Sequence, residues 1–261
     1  MNLGLEGNTA LVTASSSGLG LASAKALSRE GANVVICARS EDGLADAERE
    51  IGEVGEGSVL AVPTDITDPD EIETLVEATV DEFGGLDHVV TSAGGPPSGP
   101  FLDTTERDWY TAYDLLVMSV VWLTKRAHPH LVDSDAGTVV NITSTSVREA
   151  IDGLVLSNAV RRGVIGLMQT QAREFAPDVR VNAVLPGAHE TPRIQELVEA
   201  ALERGEYESY EEGLADWANG IPMDRVGDPM ELGDAVAFLS SDRASFINGA
   251  ALPVDGGRLR S

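Results

Sequence analysis

The sequence predicts one doubly wound α/β domain, residues 1–261, built on a parallel sheet of seven strands with helices on both faces. Three observations predict it. Short apolar, β-branched runs alternate with stretches whose apolar residues recur every three or four positions, as crossovers between parallel strands require. A serine- and glycine-rich turn joins the first such pair. The 261 residues also contain no linker, repeat or low-complexity tract, and a chain of that length can bury a sizeable core.

The first strand takes in Thr9, Leu11, Val12 and Thr13, breaks at a turn rich in serine and glycine, and gives way to helical spacing at Leu19, Ala22, Ala26 and Leu27. Glycines there let the backbone approach a ligand, and the free N–H groups of the new helix favour an anion, so a pyrophosphate is the natural occupant. A second strand, Val34 to Cys37, runs into Ala38-Arg39-Ser40. In a dinucleotide fold an acid at that place grips a ribose 2′-hydroxyl, whereas an arginine accommodates a 2′-phosphate. The sequence therefore leans to NADP(H) over NAD.

A helix over Glu41 to Val54 carries Leu44, Ala47 and Ile51 on one face, and a strand follows over Ser58 to Val62. Asp68-Pro69-Asp70-Glu71 has a capping acid, proline at the first helical position and glutamate three residues after the cap. It opens a helix through Ile72, Leu75, Val76 and Val80 that ends near Gly84-Gly85. The strand Asp87 to Thr91 meets a sharp loop, Ser92 to Pro97; two helices fit 103–132, and a strand covers Thr138 to Thr143. A helix over about Leu156 to Phe175 precedes the strand Val179 to Leu185. From Pro186 to Pro222 the pattern loosens into an acidic insertion with helical spacing at Ile194, Leu197, Val198 and Ala201, read as a substrate lid at about 188–222. Asp228 to Glu231 repeats the cap and starts a helix bearing Leu232, Ala235, Val236 and Leu239, and the last strand is Ala251 to Val254.

Charge is the odd feature of the composition. The chain carries 43 acidic and 18 basic residues, a net charge of −25, and only Lys25 and Lys125 are lysines. Such a balance repels nucleic acid and anionic membranes. Because Asp and Glu are spread along every predicted helix, the pattern points to a coat that keeps a protein soluble in high salt, where the screening length falls to about 3 Å, rather than to an acidic tail. A halophilic source is inferred from composition alone. Cys37 is the one cysteine, so no internal disulfide forms and a reducing cytoplasm fits. The longest apolar run, Leu115 to Leu123, is interrupted by Ser119 and reaches about half of a membrane span. No signal peptide and no metal-ligand cluster is legible.

The order of motifs resembles the short-chain dehydrogenase/reductase (SDR) family, a Rossmann fold, from end to end. Thr13-Ala-Ser-Ser-Ser-Gly-Leu-Gly20 is similar to that family's TGxxxGxG, Ser92-Ala93-Gly94 to its NAG, and Asn141-Ile-Thr-Ser144 to its serine motif. Asp65 follows the third strand, and Val181-Asn-Ala-Val-Leu-Pro-Gly187, Thr191 and Pro253-Val-Asp-Gly-Gly257 complete the series. The resemblance implies that Ser15, Ser17, Gly18 and Leu19 cradle the adenosine phosphates and that Arg39 and Ser40 take the 2′-phosphate. It places Asp65 and Ile66 beside the adenine, Ala93 and Gly94 on its ribose, and Pro186, Gly187 and Thr191 at the nicotinamide end. It also implies a homotetramer, assembled through the helices near 110–132 and 156–175 and the C-terminal segment.

The family's catalytic tetrad is Asn, Ser, Tyr and Lys, and here only the serine, Ser144, is kept. Ser157 stands in the tyrosine place, Arg161 in the lysine place and Leu116 in the place of the asparagine that holds a helix kink. An aliphatic hydroxyl is a far weaker acid than a phenol, whose pKa is near 10; Arg161 can still hydrogen-bond the cofactor's ribose and supply positive charge as the lysine does, but an arginine does not give up its proton. The arrangement Ser-Asn-x-x-Arg is similar to that of an archaeal branch of the superfamily. Three accounts remain open. In the first, the chain is an NAD(P)-dependent oxidoreductase that reduces a small carbonyl, or oxidises an alcohol, with Ser144, Ser157 and Arg161. In the second it is an NADP-binding sensor or an inactive partner subunit, and in the third a lyase or epimerase.

His189 is a candidate substitute acid, the alternative being an exposed histidine at the lid hinge. Tyr207 and Tyr210 are further candidate acids if they fold down from the lid, although their spacing of three within Glu206 to Glu212 suits one face of a surface helix better. His88, His128 and His130 read as structural. Arg148 and Arg193 are either attractors of an anionic substrate or plain surface charges. The lid residues Tyr207, Tyr210, Trp217, Ile221 and Met223 suit a ketone, a 3-oxoacyl group, a sugar lactone or a steroid equally.

Overall fold

The computed structural model describes residues 2–260. The first half of the chain alternates β1 (Thr9–Val12), α1 (Gly18–Arg29), β2 (Asn33–Ala38), α2 (Glu41–Gly52), β3 (Val59–Pro63), α3 (Pro69–Phe83) and β4 (His88–Thr91). Then come α4 (Glu106–Tyr113), α5 (Ser119–Asp133), β5 (Thr138–Ile142), α6 (Val155–Glu174), β6 (Arg180–Pro186), α7 (Pro192–Glu203), α8 (Tyr210–Ala218), α9 (Pro229–Ser240) and β7 (Ala251–Val254). The strands form one sheet, parallel throughout, in the order β3-β2-β1-β4-β5-β6-β7.

The two-residue period of a strand sorts its side chains between two layers. Ala10, Val12, Val34 and Ile36 face α1, α2 and α9, whose Leu27, Leu44, Ile51, Leu232 and Val236 complete that core. Leu11, Val35, Val89 and Val139 face the other way, against Leu75 of α3, Leu123 and Leu131 of α5 and Met168 of α6. Helix starts follow their capping chemistry. The Asp68 carboxylate accepts from the N–H groups of Asp70 and Glu71, with Pro69 at the first helical position, and Asp228 with Glu231 forms a capping box on α9.

Two helices occupy residues 103–132, as their spacing predicts; what the spacing does not show is the junction, where α4 and α5 run on through a π-helical turn, Asp114–Met118. In the insertion, α7 forms where the spacing of Ile194, Leu197, Val198 and Ala201 predicts it, and one expectation is corrected: no helix carries both Tyr207 and Tyr210, because the chain between α7 and α8 is irregular. Gly205 at φ +73° and the Ser209 cap break the helical run there, so Tyr207 lies in the intervening loop and Tyr210 begins α8.

The connections reverse direction between β1 and β4, which opens a crevice beyond the C-terminal ends of the strands. Among the described residues, no helix is long and apolar enough to cross a membrane.

Candidate active site

That crevice is a cleft of about 740 Å³. Its wall begins at the turn between β1 and α1. Ser17 caps α1 in an extended conformation with its hydroxyl uncommitted to the helix, and the first intrahelical bond at this end runs from the Leu21 N–H to the Ser17 carbonyl. The preceding N–H groups therefore have no intrahelical partner and suit an anion. Glycine is required at Gly20, where a Cβ would lie 2.4 Å from the Ala14 carbonyl oxygen, and it fits Gly18 at φ +58°. Ala14 also adopts a left-handed φ, +47°. Ser16, Ser17, Gly18 and Leu19 line the cleft.

Ser15 does not. It is fully buried; its hydroxyl donates to the Val12 carbonyl at 2.7 Å and accepts from the Cys37 N–H at 3.1 Å, while its own N–H donates to the Cys37 carbonyl. No donor of Ser15 is left for a phosphate, and its neighbour Ser16 occupies the wall instead. Thr13 ties this turn to β4 by donating to the Ser92 carbonyl at 2.6 Å and accepting from the Ser92 N–H at 2.8 Å.

Beyond β2, the exposed Arg39 and Ser40 line the same cleft, and the Ser40 hydroxyl caps α2 by accepting from the Gly43 N–H. Asp65 and Ile66 form the next stretch of wall. The Asp65 carboxylate is held below its ordinary pKa by hydrogen bonds from the Thr67 hydroxyl and N–H, with a smaller contribution from the Arg39 charge. Under this wall Cys37 is buried, and burial pushes its thiol up to about 12.

Ala93, Gly94, Thr111, Leu115, Thr143, Arg161, Thr191 and Arg193 complete the wall, and Thr191 stands against Gly18, where a Cβ would lie 3.6 Å from the Thr191 side chain. Arg161 donates to the Gly94 carbonyl at 2.9 Å and, more weakly, to that of Ala93 at 3.4 Å. Burial draws its guanidinium down to about 10, which leaves it cationic at neutral pH. Ser144 and Ser157 lie just outside the cleft wall, next to Thr143 and one turn from Arg161 respectively; Ser144 is half-buried after β5, and its hydroxyl accepts from the Ser146 N–H. Ser157, in the first turn of α6, is 8% exposed, with its hydroxyl 3.3 Å from that of the fully buried Ser146. Pro186 and Gly187 end β6 outside the cleft wall: the Gly187 N–H donates to Val254, and a Cβ there would meet Asp255 at 2.8 Å.

Leu116 lies within the π turn, packed with Ala112, Val120, Leu156 and Val160. The widened turn thus forms without an asparagine, and the Ser119 hydroxyl satisfies the Leu115 carbonyl inside it.

Three candidate acids lie elsewhere. His189 is buried rather than solvent-exposed, seated on Gly227 with Nδ1 3.3 Å from the Gly187 carbonyl; burial lowers its pKa, and it lines a separate 280 Å³ pocket with Met223 and Arg225. Tyr207 donates to Asp216 and Tyr210 to Glu190, and the Tyr210 phenol is pushed up to about 12 by burial and that carboxylate. His88 is wholly buried between the Asn8 amide and the Thr138 hydroxyl.

Comparison with known proteins fits this geometry. Residues 13–258 match a family model described as enoyl-(acyl carrier protein) reductase. The 3-oxoacyl-[acyl-carrier-protein] reductase of Vibrio cholerae is 34% identical over 256 residues, 98% of either chain. The chain belongs to the short-chain dehydrogenase/reductase superfamily.

It is accordingly an NAD(P)-dependent oxidoreductase of the SDR class. The crystal structure of L-sorbose reductase from Gluconobacter frateurii, complexed with NADPH and L-sorbose, superposes at a TM-score of 0.95 with 30% identity, all of both chains being covered. An SDR from Pseudomonas aeruginosa, described as NADPH-bound and as containing an atypical catalytic center, superposes at 0.89 with 29% identity over 97% of each chain. Sequence reasoning missed Ser16, Thr111 and Thr143 in the wall and the hydroxyl of Ser146. Ser146 left no signal, because nothing in the spacing brings it to Ser157.

Proposed function

We propose that the chain is an NADPH-dependent reductase of a small carbonyl compound, running in reverse as an alcohol dehydrogenase, in which Ser144, Ser157 and Arg161 replace the family's usual constellation. The observation that carries this reading is one continuous cleft, lined both by Arg39 beyond β2 and by Arg161 and Thr143. Its donors fit a dinucleotide phosphate: free helix N–H groups, the Ser16 and Ser17 hydroxyls, glycines that let the backbone come close, and a cation where a 2′-phosphate would lie. Bound there, reduced nicotinamide supplies the hydride.

The chain's own residues do the rest. Ser17, Gly18 and Leu19 bind the pyrophosphate, Arg39 and Ser40 the 2′-phosphate, and Asp65 and Ile66 border the adenine. Ala93, Gly94 and Thr191 flank the ribose and nicotinamide, with Pro186 and Gly187 fixing the backbone that leads to Thr191. Ser144 and Ser157 donate to the carbonyl oxygen, and Arg161 sets the positive potential around it while bracing the Ala93-Gly94 wall. No side chain here is a phenol of lowered pKa, so the proton comes from water through the serine hydroxyls.

The segment 188–222 acts as the lid, and the acidic coat marks a halophilic, cytoplasmic protein. Assembly is as a homotetramer. Following NADPH oxidation in molar KCl with L-sorbose, acetoacetyl thioesters and sugar lactones, beside an NADPH binding titration, tests the proposal. Saturable turnover is expected. Tight binding without turnover would favour a sensor or an inactive partner subunit instead.

A further inference from the structure

The β5–α6 loop, residues 143–154, carries Ser144 and is fastened to α6 by two consecutive residues. Ser157 meets the Ser146 hydroxyl at 3.3 Å. Asn158 holds the Ile151 peptide at both ends: its Oδ1 accepts from the Ile151 N–H at 3.1 Å and its Nδ2 donates to the Ile151 carbonyl at 2.8 Å. A side-chain amide paired in this way imitates a strand neighbour and fixes both the position and the orientation of one peptide.

The consequence reaches a second loop. Two residues after Ile151, the Gly153 carbonyl accepts from the Gly99 N–H at 2.6 Å, and Gly99 and Leu154 form a parallel bridge. The loop after β4 is thus tied to the loop after β5. Arg161, one turn along α6 from Asn158, holds the other end of that first loop through Ala93 and Gly94. Both loops, one of which carries Ser144, are thus referred to one helix face.

We propose that Asn158 is a positioning residue for the carbonyl-reducing site: it acts through Ile151 to hold the Ser144 loop, and through Gly153 to hold the Gly99 loop, in the geometry that hydride transfer needs. The assignment rests on the reductase reading. Asn158 is absent from the residues lining the dinucleotide cleft, so its loss separates turnover from cofactor affinity.

The test compares wild type, Asn158→Ala and Asn158→Asp by steady-state NADPH oxidation with L-sorbose and with acetoacetyl-CoA in molar KCl, together with NADPH titrations and melting curves. Asn158→Ala is expected to lower kcat by about tenfold to a hundredfold, since displacement by about 1 Å costs that much, while the NADPH Kd stays within about twofold. Asn158→Asp keeps the acceptor for the Ile151 N–H but sets a carboxylate against the Ile151 carbonyl. Protonation restores the missing donor, so its kcat relative to wild type should climb as pH falls from 8 toward about 5, the carboxyl pKa being raised by the facing oxygen. Asn158→Ala shows no such recovery.

A kcat unchanged in Asn158→Ala would overturn the proposal. So would a flat Asn158→Asp ratio, or losses that only follow the fall in melting temperature with NADPH affinity lost in parallel. Wild-type protein that oxidises NADPH with neither compound would overturn the reductase reading and this assignment with it, an outcome distinct from an active wild type with an unaffected variant.

Discussion

The Thr13 hydroxyl and the Ser92 peptide satisfy each other in both directions, at 2.6 and 2.8 Å, across the point where the sheet's connections reverse. One side chain thereby fixes the separation of the two loops that open the cleft. Thr13→Val keeps the shape and removes both bonds. A loss of about 1–3 kcal/mol in unfolding free energy is expected, because the Ser92 N–H and carbonyl are left unpaired in a half-buried place. Urea unfolding of the two proteins measures it, and equal midpoints would refute the role.

Arg39→Asp should exchange NADPH preference for NADH. A charge-assisted phosphate contact is worth about 1.5–3 kcal/mol, so the NADPH Kd should rise by roughly tenfold to a hundredfold. Fluorescence titration with both nucleotides reads the change, and a ratio unaltered by the substitution would remove Arg39 from cofactor selection.

Ser144→Ala should cut kcat by about a hundredfold or more, the usual cost of a lost donor to a developing oxyanion, with NADPH binding intact. Single-turnover NADPH oxidation is the direct measurement. Undiminished rates would leave Ser157 as the only hydroxyl donor to the substrate.

Stability should fall in mild acid on account of His88. Burial holds its pKa down to about 4, partly opposed by the nearby Asp87 and Asp242 charges and reinforced by Arg180. The unfolded chain, with a histidine near 6.5, takes up the proton first as pH drops. The stabilisation is complete above pH 6.5, is lost progressively toward pH 4, and amounts to roughly 3 kcal/mol. His88→Gln should flatten the dependence of the urea midpoint on pH in that window; an unchanged slope would assign acid sensitivity to the carboxylates instead.

Melting temperature should climb with KCl, because screening relieves the self-repulsion of a net charge of −25. Calorimetry in dilute buffer and in molar KCl reads this directly, and a flat series would count against the halophilic interpretation.

Most of the fold was legible because strand and helix periods are properties of neighbouring residues. Leu11 against Ala10 and Val12, or Leu75 three residues after Ile72, reveal their layers from spacing alone. The glycine-rich turn before α1 was legible for the same reason, since glycine at Gly18 and Gly20 answers a local backbone need. Contacts between distant segments were not. Nothing near Ser15 announces that Cys37 will claim its hydroxyl, and nothing near Asn158 announces Ile151. The surface helix was read as taking in Tyr207 because Tyr207 and Tyr210 stand three residues apart, whereas the Ser209 cap starts α8 only at Tyr210. His189 looked like a hinge histidine because its partner, Gly227, lies 38 residues away in sequence.

The Ser15 hydroxyl joins the last residue of β1 to Cys37, two residues before Arg39. The turn before α1 and Arg39 beyond β2 are therefore mounted on the same short bracket, so in the proposed cofactor site the spacing of the two anchors is set when the sheet forms, before any nucleotide arrives. Binding then does not have to freeze one anchor relative to the other, so the entropy of that alignment is spent during folding. A substitution at Ser15 that leaves the protein folded should accordingly reveal itself as slack: each anchor would still function with a smaller fragment, an adenosine 2′-phosphate or a pyrophosphate, while the intact dinucleotide would lose the advantage of meeting both at once.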